Sequence, residues 1–158
     1  MKTVTLSQYE IERGKAMPSK NHAIIQRNLI VQLQIKYGTQ FAVLSEVSVD
    51  LPSGGTVPDV ALYPPTPYDA FNDEVELTIP PLCAIEIISP SQNNQTFVRK
   101  AGLYFAAGTR SCWVIDPVFR LVHVFDAPER YQTFQAGRDE QLTDAVMNIT
   151  LGLSDLFR

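Results

Sequence analysis

The chain has 158 residues, of which 45% are hydrophobic and 19% charged, so it has enough apolar material for a core and is not a disordered protein. Thirteen Lys and Arg residues against 17 Asp and Glu residues give a net charge of −4, which argues against tight, nonspecific nucleic-acid binding. No apolar run is long enough to span a membrane, and the opening MKTVTLSQYE lacks the apolar stretch of a signal peptide.

The first forty residues predict a short hairpin followed by a long helix. The hairpin is expected to turn at residues 13–14. The helix is expected over residues 20–37, with Ser19 as its N-cap and Gly38 as its stop. Its apolar side is predicted to consist of Ile24, Ile25, Val31 and Ile35.

Three strands are predicted next. FAVLSEVSVDL, residues 41–51, alternates with period two and is expected to pair with TVPDVALY, residues 56–63, across a turn at residues 52–55. Residues 64–81 are rich in proline and acidic side chains, which indicates a surface loop. LCAIEIIS, residues 82–89, is almost continuously apolar and is typical of a central strand that is covered on both sides.

A second helix is expected over residues 96–107, ended by Gly108. Lys100 falls at the border of its apolar stripe and not on its solvent side. SCWVID, residues 111–116, follows as another buried strand, and the helical crossover predicts that it runs parallel to residues 82–89. The predicted buried stripe of the helix consists of Phe97, Val98, Ala101, Tyr104 and Phe105.

The remaining residues complete a single predicted domain over residues 1–158, with its core at about 20–117 and a terminal hairpin and tail at 118–158. The tail, residues 142–158, is expected to cover one sheet edge. Cys83 and Cys112 lie in apolar runs and are interpreted as reduced core residues of a cytoplasmic protein.

Asp59, Glu86 and Lys100 are the candidate catalytic residues. Asp59 and Glu86 are acids within apolar strands, where a carboxylate costs free energy unless a metal, a proton or a partner compensates it. Carboxylate oxygens suit Mg²⁺ or Mn²⁺, and Lys100 on the next helix could orient water or stabilise charge on phosphorus. The alternatives are a strand-edge aspartate, a buried glutamate in an ion pair, and a surface lysine lying beside Phe97.

Six segments of the chain carry a family resemblance: YEIERG, PSKNHAII, VPDVALYPP, AIEIISPS, RKAGLYFAAG and SCWVIDP. In this order and spacing, over about residues 9–117, they resemble the Uma-two family of restriction-type endonucleases in the PD-(D/E)xK nuclease superfamily. The resemblance implies an α/β fold with a restriction-endonuclease-like core, a mixed β-sheet flanked by two main helices.

The resemblance also implies a site and an activity. Asp59 and Glu86 would be metal ligands, together with the backbone carbonyl of Ile87. One position departs from the superfamily pattern, because Ile88 stands two residues after the acid where the lysine is expected. The family resemblance assigns that lysine to Lys100. The expected activity is Mg²⁺- or Mn²⁺-dependent endonucleolytic hydrolysis of DNA.

Two residues are candidate accessory groups, and several functions stay open. His22 matches a family position, but a lone histidine is more often a structural hydrogen-bonding residue. Glu46 is either a further ligand or the solvated side of a hairpin. The alternative function is a catalytically inactive nuclease-fold binding or regulatory module, which the acidic charge favours. RNA or branched or single-stranded DNA is a further substrate option. A homodimer would suit a double-strand cut, and no membrane partner is expected.

Overall fold

The structure is a computed structural model, and it describes Ile11 and residues 17–158. The hairpin predicted to turn at residues 13–14 therefore lies outside the described residues. Within them the helices are α1 (Lys20–Tyr37), α2 (Asn94–Ala107) and α3 (Leu153–Leu156). The strands are β1 (Ala42–Ser45), β2 (Val49–Leu51), β3 (Gly54–Thr56), β4 (Val60–Tyr63), β5 (Cys83–Ile87), β6 (Ser111–Asp116), β7 (Leu121–Ala127), β8 (Arg130–Gln135), β9 (Gln141–Asp144) and β10 (Ile149–Gly152).

Six strands form the main sheet in the order β1-β4-β5-β6-β7-β8. Strands β5 and β6 are parallel, as the helical crossover between them predicts, and the other neighbouring pairs are antiparallel. The sheet is therefore mixed, and α1 and α2 pack on it, which confirms the predicted fold class. None of the described helices is long and apolar enough to span a bilayer.

Helix α1 begins and ends where the sequence predicts. The Ser19 hydroxyl accepts the backbone N–H of His22 at 3.2 Å, which caps the first turn. The predicted apolar side is confirmed at Ile25, which is buried, and wrong at Val31 and Ile35, which are 49% and 79% exposed. The helix also buries Leu29 and Leu33, together with the polar side chains of His22 and Asn28.

The single strand predicted over residues 41–51 is also wrong. It is divided into β1 and β2 by Glu46, whose φ of 51° turns the chain out of the extended conformation. Strand β1 still pairs antiparallel with β4, as predicted. Strand β2 forms a separate hairpin with β3 across the predicted turn. Residues 64–76 are exposed, as expected of a surface loop.

Helix α2 begins two residues earlier than predicted, because the Asn93 side chain accepts the N–H of Thr96 at 3.0 Å and caps it. It ends at Gly108, whose φ of 107° is left-handed and suits glycine. Phe97, Ala101 and Tyr104 are buried, as predicted. The prediction for Val98 is wrong, since that side chain is 48% exposed.

The prediction that the C-terminal tail covers a sheet edge is wrong. Strands β7 and β8 extend the main sheet beyond β6, and β9, β10 and α3 pack on the face that α1 covers. The amide of Asn28 donates to the carbonyls of Leu156 and Arg158, both at 3.0 Å, and so ties α1 to the last residues. The tail buries Leu142, Leu151 and similar apolar side chains, so it is part of the core.

Candidate active site

Glu86 lies in β5, the central strand, and its side chain is only 3% exposed. Alternation along the strand places it on the same face as Ala84 and Ile88, the face that α2 covers. One carboxylate oxygen, Oε1, lies 3.1 Å from Nζ of Lys100 and accepts the hydroxyl of Tyr104 at 2.9 Å. The buried charge is therefore compensated from α2.

Lys100 and Tyr104 reach the same oxygen because residues four apart share one side of a helix. The Lys100 side chain is 25% exposed, and its Nζ lies 5.9 Å from the centroid of the Phe97 ring. The ammonium thus lies between a buried carboxylate and solvent. Glu86 and Lys100 lie next to each other, as predicted, and the catalytic role of each stays a prediction.

Tyr104 and Thr56 extend this contact into a polar chain. The Tyr104 hydroxyl lies 3.2 Å from Oγ1 of Thr56, which belongs to β3. Burial, and then the charge of Glu86, raises the pKa of Tyr104 well above its usual range, so the hydroxyl stays protonated as a donor. Sequence reasoning missed Thr56, since its hairpin is not part of the main sheet and no local pattern indicates the contact.

Asp59 lies just before β4, and it is 2% exposed. Its Oδ2 accepts the backbone N–H of Ile87 at 2.7 Å, one peptide beyond Glu86. Its backbone carbonyl accepts the Gln26 side-chain amide at 3.0 Å and the Glu46 N–H at 3.2 Å. Asp59 is therefore fixed where the β4–β5 pairing ends, immediately next to the residue pair 86–87.

His22 occupies the first turn of α1, with its side chain 4% exposed. Its Nδ1 lies 3.1 Å from the hydroxyl oxygen of Ser89, a buried residue just after β5. Its Nε2 lies 3.2 Å from Oδ1 of Asp59, but the atoms are not aligned for a hydrogen bond. Within the described part of the chain this nitrogen has no hydrogen-bond partner. The two atoms are therefore close without a hydrogen bond between them, and the Ser89 hydroxyl was not foreseen.

The other predicted ligands are placed differently. Glu46 is exposed at the break between β1 and β2, unlike the buried Asp59 and Glu86. The N–H of Ile87 is bound to Asp59, and a ligand role for its carbonyl stays a prediction.

The described residues offer two adjacent pairs, Asp59 with His22 and Glu86 with Lys100. They do not gather three His, Cys, Asp or Glu side chains that could hold one ion. The chemistry of the first pair nevertheless fits a divalent cation, because it sets a carboxylate oxygen beside a buried imidazole nitrogen that lacks a hydrogen bond. Asp59 and Glu86 would hold the cation, with the Nε2 atom of His22 beside Asp59 Oδ1.

A comparison with known protein families identifies the family of this chain. Residues 4–154 match the family Uma2, described as "Putative restriction endonuclease". The chain belongs to the Uma2 family. None of the curated proteins matches it.

A solved structure has the same fold as this Uma2 chain. It is described as a "putative nuclease belonging to DUF820" from Anabaena variabilis, with 23% identity, a TM-score of 0.77, and coverage of 90% of this chain and 83% of the other. A structure of a DrdV–DNA complex aligns with 14% identity and a TM-score of 0.41, over 73% of this chain and 12% of that one, which is too weak to carry an argument. The family match supports a nuclease role, and the solved structure shows the shared fold.

Proposed function

We propose that this Uma2 protein is a divalent-metal-dependent endonuclease that hydrolyses phosphodiester bonds in DNA, using Asp59, Glu86 and Lys100. The observation that carries the proposal is the 3.1 Å contact between Lys100 Nζ and Glu86 Oε1. It brings a lysine from α2 to a buried acid on the central strand, beside the peptide that Asp59 binds.

This contact supports the assignment of the missing superfamily lysine to Lys100. Ile88, two residues after the acid, packs with the apolar cluster beneath α2. Lys100 supplies an ammonium at the same carboxylate from a different element. A lysine on a helix that packs on the sheet can therefore take the place of a lysine on the strand.

Each residue would have a distinct part in the reaction. A divalent cation would supply positive charge for the phosphate oxygens and activate water. Asp59 and Glu86 would hold that charge at the sheet, since both carboxylates are buried and fixed by hydrogen bonds. Lys100 is the partly exposed member, and its ammonium, on a flexible stem, can turn from Glu86 toward a phosphate and stabilise the charge that develops there.

The test is cleavage of plasmid and single-stranded DNA with Mg²⁺ or Mn²⁺ by the wild type, Asp59→Asn, Lys100→Ala and Lys36→Ala. Lys36 is an exposed residue in the last turn of α1 and serves as the matched control. We expect Asp59→Asn and Lys100→Ala to lose about 10²–10³-fold in rate, and Lys36→Ala to cut like the wild type. Equal cutting by all four proteins would refute the proposed site.

A second candidate, a catalytically inactive nuclease-fold binding module, is favoured by one observation. Both carboxylates already accept protein donors, and the described residues assemble no trio of metal-ligating side chains. Calorimetry separates the two functions. Micromolar Mn²⁺ binding that disappears in Asp59→Asn supports the nuclease, whereas no Mn²⁺ binding together with no cleavage supports the binding module.

Substrate, assembly and location complete the proposal. Comparison of double-stranded DNA, branched DNA and RNA under the same conditions would establish the substrate class. A double-strand cut requires two active sites, so we expect a homodimer, and light scattering that finds only monomer would contradict this. The buried, unpaired cysteines Cys83 and Cys112 support a cytoplasmic location.

A further inference from the structure

The Nε2 atom of His22 is the polar group near the site that most needs an explanation. The side chain is 4% exposed, and within the described residues the nitrogen has no hydrogen-bond partner. A buried polar atom without a partner is unfavourable, because it loses its hydrogen bonds to water. Natural structures retain such an atom mainly where water, an ion or a functional group completes it.

The other ring nitrogen is already fixed. Nδ1 lies 3.1 Å from the Ser89 hydroxyl oxygen, and a proton on Nδ1 would donate to that oxygen. In that tautomer the Nε2 lone pair is directed away from Ser89. Histidines that bind metals commonly use one nitrogen for the ion and the other to donate a hydrogen bond that fixes the ring.

The distance from His22 to Asp59 also fits shared coordination. Nε2 and Asp59 Oδ1 are 3.2 Å apart without the alignment of a hydrogen bond. Two ligands at right angles around one ion, each with a bond of about 2.1 Å, are separated by about 3.0 Å. The two atoms therefore already have the spacing of neighbouring ligands.

We infer that His22 is a nitrogen ligand beside Asp59, and that it makes the metal site prefer Mn²⁺ or another first-row transition ion to Mg²⁺. Imidazole nitrogen suits transition ions, whereas Mg²⁺ prefers oxygen ligands. This inference rests on the metal dependence in the proposed function and adds to it the identity of a ligand and the class of ion. The bond would also complete the buried nitrogen that the described residues leave without a partner.

The experiment is electron spin echo spectroscopy of the Mn²⁺-loaded protein, which detects nitrogen bound directly to the ion and does not depend on turnover. The chain has two histidines, so His123→Gln is the matched control for His22→Asn. His123 lies on β7, with its Nδ1 2.8 Å from Oγ1 of Thr133. We expect nitrogen coupling in the wild type and in His123→Gln, and its loss in His22→Asn.

Calorimetry on the same proteins provides the second measurement. His22→Asn should weaken Mn²⁺ binding roughly tenfold or more, and change Mg²⁺ binding by no more than about twofold, since the new amide offers an oxygen. The wild-type spectrum alone tests the inference if His22→Asn fails to fold. Mn²⁺ binding without nitrogen coupling, or coupling lost only in His123→Gln, overturns the histidine ligand and leaves metal dependence intact. Absence of any Mn²⁺ binding by the wild type overturns both the ligand and the proposed metal dependence.

Discussion

Two buried carboxylates, Asp144 and Glu86, have very different surroundings. Asp144 ends β9 and is 1% exposed. Its Oδ2 accepts the indole N–H of Trp113 at 2.7 Å and the hydroxyl of Ser111, and its Oδ1 accepts the Met147 N–H at 3.0 Å. Glu86 accepts one hydroxyl and lies against an ammonium that is partly exposed.

The difference shows that two equally buried carboxylates can have partners of different kinds. Asp144 is bonded by neutral groups of the core, and no described Lys, Arg or His lies within ion-pair distance of it. Its bonds hold the β9–β10 hairpin against β6. Glu86 instead has a cationic partner, Lys100, that is partly exposed to solvent. A cationic ligand can therefore replace Lys100 beside this carboxylate. The partners of a buried carboxylate are therefore the better guide to its role.

Exchanging each acid for its amide gives the largest expected effects. Glu86→Gln should lower the cleavage rate about 10²–10³-fold with little loss of stability, because an amide oxygen can still accept from Tyr104. Asp144→Asn should keep the rate within about twofold, but its NH₂ group would face fixed donors and lower the free energy of unfolding by about 1–3 kcal/mol. Guanidinium unfolding and plasmid cleavage measure both quantities.

The reverse pattern would remove the distinction between these acids. If Glu86→Gln melted as far below the wild type as Asp144→Asn and still cut DNA, Glu86 would be structural. Lys100 would then serve only to neutralise a buried charge.

A smaller effect is expected from the hydroxyl that positions Glu86. Tyr104→Phe keeps the buried ring but removes the donor at 2.9 Å, so cation affinity and cleavage should fall about tenfold. The free energy of unfolding should fall by about 1 kcal/mol. Thr56→Val, which affects the carboxylate only through Tyr104, should change cation affinity less. Lower stability with unchanged Mn²⁺ affinity in Tyr104→Phe would limit the hydroxyl to a structural role.

The smallest expected effect concerns the reactivity of the two buried cysteines, one on each face of the sheet. Burial, and then the charge of Asp144, raises the pKa of Cys83, while burial and then Glu86 raise the pKa of Cys112. A raised pKa keeps each thiol protonated and unreactive up to a higher pH. We expect neither cysteine to be alkylated in the native protein at about pH 8, and both to react in guanidinium, as mass spectrometry would record. Labelling of Cys112 alone would show that the α2 face opens independently.

Much of the fold follows from local patterns, including both main helices, their Ser19 and Gly108 ends, and the central strands. The proximity of Lys100 to Glu86 was predictable because α2 follows β5 directly and packs on it. These features depend on periodicity, capping and chain order, all of which are local.

Contacts between distant segments were not predictable. Helix α1 carries apolar residues on several sides, so periodicity could not distinguish buried Leu29 and Leu33 from exposed Val31 and Ile35. Asn28 is buried because carbonyls more than 120 residues away accept its amide. No composition signal indicated the turn at Glu46. The metal ligands of the site remain predictions for the same reason, since each depends on where distant segments meet.

The attachment of α1 to the last residues has a consequence for the order of folding. Tyr37 bonds both the N–H and the carbonyl of Thr150, and Gln32 bonds Gly152, across about 110 to 120 positions. Closing so long a loop costs entropy before the contacts form, so α1 is expected to dock late. During synthesis the ribosome must release residues near 150 before α1 can settle and bring His22 to Asp59. A nascent chain would then leave His22 and Asp59 apart until the residues near 150 are free to pack on α1.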